Sequence, residues 1–373
     1  MPPVNVLIKP ASSACNMACT YCFYRDVACH RQENFQGMLS LELMEKVIAG
    51  AMEFAEGSCS FLFQGGEPTL AGLDFYRSVV ALVQKHSKTN VAVSYAIQTN
   101  AYHLDEAWCE FFRDNKFLVG VSLDGPADLH NLNRPDQTGR NTFNDVMRSI
   151  ELLRLFKVDF NILCVLTGKN ARSVERIYRF YRKHGFNHIQ FIPCLEPLDQ
   201  QRGTEKYHLS VDEYGTFLVR LFDLWYRDLQ EGYYTSVRHL DNWLSILMGG
   251  RPESCGMMGH CSIQFVVEGD GGVYPCDFYV LDELRLGTVG IDRFENMAHS
   301  PIAQEFLHSS FSVPEECRQC HYYPLCRNGC RRDRMVSSTG IPVQTYYCPA
   351  LKHFFSSRLA QLQQAAAILA RWC

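Results

Sequence analysis

Apolar runs of strand length recur from Val4 to Pro193, separated by stretches of helical periodicity. Val4–Lys9, Ser60–Gln64, Val91–Gln98, Phe117–Leu123, Asp159–Leu166 and His188–Pro193 are short, rich in Val, Ile and Phe, and read as strands. Residues 40–56, 72–87, 104–114, 143–155, 171–184 and 211–230 repeat their apolar side chains at helical spacing. Such alternation predicts a parallel sheet with right-handed crossovers. Six βα units can form an open sheet or a partial barrel, and both collect ligands at the C-terminal ends of the strands. After about residue 234 the pattern changes. A helical stretch, 236–248, leads into a Cys- and Gly-rich region where Gln264–Glu268 and Gly272–Pro275 flank Gly269-Asp-Gly-Gly, a hairpin signal. Residues 294–308 and the Ala/Leu/Gln-rich tail are again helical in pattern.

Composition narrows the function classes. The 373 residues are 47% hydrophobic, so the chain folds as a globular protein with ample core. A net charge of −4 without a long basic run disfavours nucleic acid as a partner. No run reaches the roughly 18 apolar residues of a membrane span. The N-terminus lacks a charged n-region and an apolar h-region, so a cytoplasmic location is expected. There, 17 cysteines point to metal ligation and not to disulfides.

Eleven of those cysteines form two blocks. Cys15-x3-Cys19-x2-Cys22 follows the first predicted strand. Three thiolates in a short loop can hold three irons of a cubane cluster and leave the fourth iron open to a small molecule. The second block comprises Cys255, Cys261, Cys276, Cys317, Cys320, Cys326, Cys330 and Cys348, enough for two fully ligated clusters. Zinc competes for each block read alone, with Cys29 or His30 as a fourth ligand at the first and a ribbon at the second. The two blocks together favour iron–sulfur. Cys59, Cys109 and Cys164 lie in apolar surroundings and read as core, Cys194 ends a predicted strand, and Cys29 and Cys373 stay unassigned. Gly65-Gly66, at the end of the second strand, either makes a tight turn or lets the backbone approach a ligand. Asp277 directly follows Cys276 and is either a turn aspartate or a base whose proton uptake is coupled to electron departure. Ser122 ends the fourth strand, Arg134 is a loop charge or an anion partner, and His130 reads as structural.

The cysteine loop, with Tyr21 before its third cysteine, and Gln64-Gly-Gly-Glu-Pro68 resemble the radical S-adenosylmethionine (SAM) superfamily. The eight-cysteine block is similar to the SPASM domain. Among SPASM proteins, the chain most resembles the anaerobic sulfatase-maturating enzymes. Matching segments include Ile8-Lys-Pro-Ala-Ser-Ser13, Cys19-Thr-Tyr-Cys-Phe-Tyr24, Ser122-Leu-Asp-Gly-Pro126, His130-Asn-Leu-Asn-Arg134 and Tyr274-Pro-Cys-Asp-Phe-Tyr279. The resemblance implies an α/β fold: a partial (β/α)6 TIM-like barrel over 1–233, then a C-terminal Cys-rich SPASM domain over 234–348 binding two auxiliary clusters, then a helix over 349–373. It implies three 4Fe-4S clusters and SAM. Cys15, Cys19 and Cys22 would hold the SAM-binding cluster. Cys255, Cys261, Cys276 and Cys330 would hold one auxiliary cluster, and Cys317, Cys320, Cys326 and Cys348 the other.

The implied reaction cleaves SAM to a 5′-deoxyadenosyl radical, which takes a Cβ hydrogen from a cysteine or serine of an unfolded sulfatase segment and leads to Cα-formylglycine. By the same resemblance, Tyr21 lies against adenine, Gly66 meets the methionyl amino group, Ser122 and Arg134 hold ribose or carboxylate, Leu195 presents backbone to adenine, and Asp277 is the base. Tyr24, Gln64, Gln98, Asn100 and Arg238 are weaker candidates. The expected partners are a Cys/Ser-x-Pro/Ala-x-Arg polypeptide and a flavodoxin- or ferredoxin-like electron donor, with the enzyme a monomer. One rival is a SPASM enzyme that modifies a ribosomal peptide, for example by thioether formation, and Cys15 lies too near the start for the peptide-binding extension such enzymes carry. The other is a non-catalytic iron–sulfur or zinc scaffold, which would not cleave SAM.

Overall fold

The fold, a computed structural model, describes residues 3–336 and 342–372; Cys373 lies outside the described residues. The strands are β1 (Val4–Ile8), β2 (Gly57–Phe63), β3 (Val91–Thr99), β4 (Phe117–Ser122), β5 (Phe160–Leu166), β6 (His188–Pro193), β7 (Ser236–Val237), β8 (Val266–Val267), β9 (Gly272–Tyr274), β10 (Gly287–Thr288), β11 (Arg334–Val336) and β12 (Pro342–Thr345). Contacts group the chain into two compact units: residues 1–122, 131–161 and 262–305, and residues 123–130, 162–261 and 306–373. The chain thus passes back and forth between the two groups.

In the first unit, β1 to β4 pair in parallel and in sequence order. The expected β8–β9 hairpin forms, and β8 hydrogen-bonds in parallel to the free side of β1. The unit's strand order is thus β10-β9-β8-β1-β2-β3-β4. Residues 262–305 return to the N-terminal strands because Leu7 and Lys9 donate their backbone N–H groups to the Phe265 and Val267 carbonyls. The helix Leu41–Phe54 starts where the Ser40 hydroxyl accepts from the Leu43 N–H, and it buries Met44, Val47, Ile48 and Ala51 on one face. Phe63, Tyr76, Trp108 and Phe117 pack edge to face or stacked beneath the strands. Each such buried ring contributes on the order of 2 kcal/mol.

The second unit holds β5-β6-β7 and the β11–β12 hairpin. Its long helix, Val211–Gln230, opens with a reciprocal cap between Ser210 and Glu213 and buries Phe217, Leu221, Phe222 and Trp225. Phe222 meets Phe354 of the C-terminal helix Cys348–Leu369 with ring centroids 5.7 Å apart.

Two helices expected to be continuous are broken. Residues 171–184 are part of two helices, Gly168–Arg172 and Val174–Lys183, the first capped by the Thr167 side chain on the Asn170 N–H. Residues 294–308 split into Phe294–Ala298 and Pro301–His308. Pro301 has no N–H to continue the first helix, and the Ser300 hydroxyl caps the second through the Ala303 N–H.

Candidate active site

The C-terminal ends of β1 to β4 bring together most of the residues singled out from the sequence, all in the first unit. The loop after β1 carries Cys15, Cys19 and Cys22. The three thiols lie close enough that Cys19 and Cys22 each raise the Cys15 pKa. Burial is the larger cause, followed by the Glu67 carboxylate, and together they push the Cys15 thiol up to about 12. Gathering thiols in so dry a place is costly unless a metal stabilises their thiolates, so this donor set fits iron. Two side-chain donors face the sulfurs. Asn100 Nδ2 lies 3.7 Å from Cys15 Sγ, and Arg134 Nη1 lies 3.9 Å from Cys19 Sγ.

The loop after β2 presses directly on the cysteine loop. Gly66 N donates to the Ser12 carbonyl at 2.9 Å and Glu67 N to the Ala14 carbonyl at 2.8 Å. Gly65 has φ +118°, which other residues rarely adopt. A Cβ on Gly66 would sit 2.0 Å from the Ala14 carbonyl oxygen. Both glycines are thus required by this close approach. The buried Glu67 carboxylate, not singled out from the sequence, accepts from Thr69 N and Oγ1, Thr99 Oγ1 and Asn100 N. It locks the loops after β2 and β3 together, and so places Asn100 against Cys15.

Arg134 is buried, with its guanidinium carbon 5.3 Å from the centre of the Tyr21 ring. Ser122 Oγ accepts from Gln98 Nε2 at 3.1 Å. Asp277 is buried beyond the β8–β9 hairpin. Its Oδ2 accepts from Tyr24 Oη at 2.6 Å and from Gln64 Nε2 at 3.2 Å. Phe23 against Phe278, with centroids 5.1 Å apart, fixes the helix Phe23–Cys29 on this turn. Burial raises the Asp277 pKa, and Lys9 and Tyr24 pull it back down. Lys9, Arg31 and Glu268 surround this site and escaped the sequence reading. Tyr24, Gln64, Gln98 and Asn100 prove to be among the residues gathered here.

The second unit holds seven cysteines of the C-terminal block in two groups. Cys255 and Cys261 both raise the Cys330 thiol, which burial above all pushes up to about 12. Cys317, Cys320, Cys326 and Cys348 line one cavity, and burial with the charges of its three neighbours pushes Cys326 up to about 12. These donor sets fit metal clusters on the same grounds as the first. Cys276 belongs to the first unit, just past β9. Leu195, in the second unit, follows the buried Cys194 at the end of β6. Arg238 donates to Gln190 Oε1 at 2.9 Å. His130 is buried, with Nδ1 accepting from the Asp124 N–H at 3.4 Å, in keeping with a structural role. Cys59, Cys109 and Cys164 are core residues, and Cys29 is exposed.

Residues 10–181 match the radical SAM superfamily, and residues 255–321 match an iron–sulfur cluster-binding domain, SPASM. A cysteine-type anaerobic sulfatase-maturating enzyme of Clostridium perfringens (strain 13 / Type A) is 45% identical over 366 residues, 98% of this chain and 99% of that protein. The chain belongs to the anaerobic sulfatase-maturating enzymes. A serine-type enzyme of the family, from Bacteroides thetaiotaomicron, is 31% identical over 95% of this chain and 89% of its own. The solved structure of native anSMEcpe with bound AdoMet and Cp18Cys peptide superposes with a TM-score of 0.94 at 43% identity, over 99% of this chain and 100% of that one. The partial (β/α)6 barrel with a Cys-rich SPASM domain, expected from sequence, is the fold of this maturase. Among the described residues, no helix is long and apolar enough to cross a membrane.

Proposed function

We propose that this maturase uses SAM and three 4Fe-4S clusters to oxidise a cysteine in an unfolded sulfatase segment, Cys-x-Pro/Ala-x-Arg, to Cα-formylglycine. The observation that carries the reading is the three-thiol loop pressed against Gly65-Gly66 with the buried Asp277 in the same unit. Preference for cysteine over serine is supported by 45% identity to a cysteine-type relative against 31% to a serine-type one.

Cys15, Cys19 and Cys22 hold the SAM-binding cluster. Tyr21, Gly66, Ser122 and Arg134 hold SAM. Cys317, Cys320, Cys326 and Cys348 ligate one auxiliary cluster, and Cys255, Cys261 and Cys330 contribute to the other. When bound, these groups supply the starting electron, the carbon radical that removes a Cβ hydrogen, and an acceptor for the second electron. The protein's own task is to orient the target cysteine, exclude water and take the thiol proton on Asp277. Two oxygens distinguish themselves there. Oδ2 is already engaged by Tyr24 and Gln64, which leaves Oδ1 to receive the proton. Water then converts the resulting thioaldehyde to the aldehyde with loss of hydrogen sulfide. We further assign a flavodoxin- or ferredoxin-like electron donor, a monomeric state and a cytoplasmic location.

The test is anaerobic reconstitution with iron and sulfide, then SAM, dithionite and a Cys-x-Pro-x-Arg peptide followed by mass spectrometry. An aldehyde in the peptide with 5′-deoxyadenosine formed alongside supports the function. SAM cleavage with a thioether product moves the chain to the peptide-modifying enzymes. No SAM cleavage by the iron-loaded protein makes it a scaffold.

A further inference from the structure

Asp277 does not stand alone in its pocket. Lys9, the first residue beyond β1, is buried at 3% exposure with its ammonium between two carboxylates. Nζ lies 3.2 Å from Glu268 Oε1 and 3.6 Å from Asp277 Oδ1, and 4.9 Å from the centre of the Tyr24 ring. Arg31 Nη1 takes the same Glu268 Oε1 at 2.6 Å. The group is balanced: Lys9 and Arg31 against Glu268 and Asp277. A buried ammonium without a partner is costly. Lys9 Nζ is thus shared between Glu268 and Asp277. Tyr24 and Gln64 pull Oδ2 to one side. Among the described residues Oδ1 accepts no hydrogen bond, and the Lys9 ammonium lies 3.6 Å from it.

We propose that Lys9, anchored by Glu268 and Arg31, is a positioning residue that holds the Asp277 carboxylate with Oδ1 presented to the substrate thiol. The step it serves is one proton moving from the target sulfur to Oδ1, while Lys9 exchanges none. Its contact with the Tyr24 ring holds the hydroxyl donor to Oδ2 in the same arrangement. The proposal rests on the formylglycine reading above. It adds that a residue on β1's own loop, distant from Asp277 in sequence but 3.6 Å from it in the fold, sets the yield of product per SAM consumed.

The test uses the iron-loaded full chain and compares Lys9→Met, Lys9→Gln and Lys9→Arg. Aldehyde and 5′-deoxyadenosine are measured together, with iron content and the peptide KM. The expected result for both neutral variants is wild-type iron, unchanged peptide KM and SAM cleavage, and kcat for aldehyde lower by about tenfold. Lys9→Arg should recover much of the aldehyde yield. The proposal is overturned if an iron-loaded neutral variant keeps the wild-type ratio of aldehyde to 5′-deoxyadenosine, or if Lys9→Arg is as poor as Lys9→Met. It is also overturned if neither neutral variant loads iron, because Lys9 is then a structural residue. Wild-type protein that makes no aldehyde at all would instead defeat the function proposed above.

Discussion

Gly66→Ala puts one methyl group where the structure has none to spare. The new Cβ would lie 2.0 Å from the Ala14 oxygen, 2.6 Å from its carbonyl carbon and 2.8 Å from the Ser13 carbonyl carbon. All three are backbone atoms, so no side chain can swing away. Ordinary contact begins at 3.4 Å, and the cysteine loop must retreat by about 1.4 Å, the difference from 2.0 Å. That retreat would stretch the Gly66-to-Ser12 and Glu67-to-Ala14 hydrogen bonds, now 2.9 and 2.8 Å, past their useful range. Losing two buried backbone bonds costs about 2–4 kcal/mol. Ala14 adjoins Cys15, so the displacement reaches the first ligand of the SAM-binding cluster. Reconstituted Gly66→Ala should carry about eight irons per chain instead of about twelve, since the C-terminal clusters are untouched. SAM cleavage should fall with the iron. Gly72→Ala is the control: φ is +82° but nothing lies within 4 Å, so it should cost about 1–3 kcal/mol of backbone strain and keep its iron. A Gly66→Ala protein with full iron and wild-type SAM cleavage would refute the close-approach argument.

Other consequences can be checked alongside. Asp277→Asn should leave SAM cleavage largely intact while lowering aldehyde formation by about 10²–10⁴-fold in a peptide assay; equal loss of both activities would remove it as the base. Cys326→Ser should cost about four irons per chain and leave the SAM-binding cluster's spectrum in place. His239 is lowered to about 4 by burial, then by Arg238. It is neutral in the fold, whereas the unfolded histidine binds a proton near pH 6.5. Stability should therefore fall as pH drops from about 6.5 toward 4, and His239→Gln should flatten that limb in denaturant melts.

The strands and most helices were legible because each is a local pattern: a short β-branched run, or apolar residues at helical spacing. The cysteine blocks were legible because close spacing is itself the signal. Lys9, Arg31 and Glu268 were not, since Lys9 and Glu268 meet across 259 positions and each looks like an ordinary surface charge. Nothing in Val266–Val267 alone announces that so short a strand pairs with β1. Glu67 was quoted only as one letter of the Gln64–Pro68 segment, and nothing in that local pattern shows the four accepted hydrogen bonds that make it the tie between two loops. The breaks at Ser173 and Ser300 were missed for a smaller reason: helical periodicity continues across both, and at the second Pro301 ends one helix while the Ser300 hydroxyl caps the next.

The pairing of β8 with β1 has a consequence for how the protein is made. β1 finds β2 on one flank early, but its other flank waits for Val266 and Val267 to leave the ribosome. At about 5–20 residues per second, the intervening chain of roughly 250 residues takes on the order of 10–50 s to synthesise. Through that interval β1 is a raw edge, open to wrong partners. Glu268 and Asp277 arrive on the very segment that closes it, so the nascent chain gains the proposed base and covers the free edge of β1 in one event.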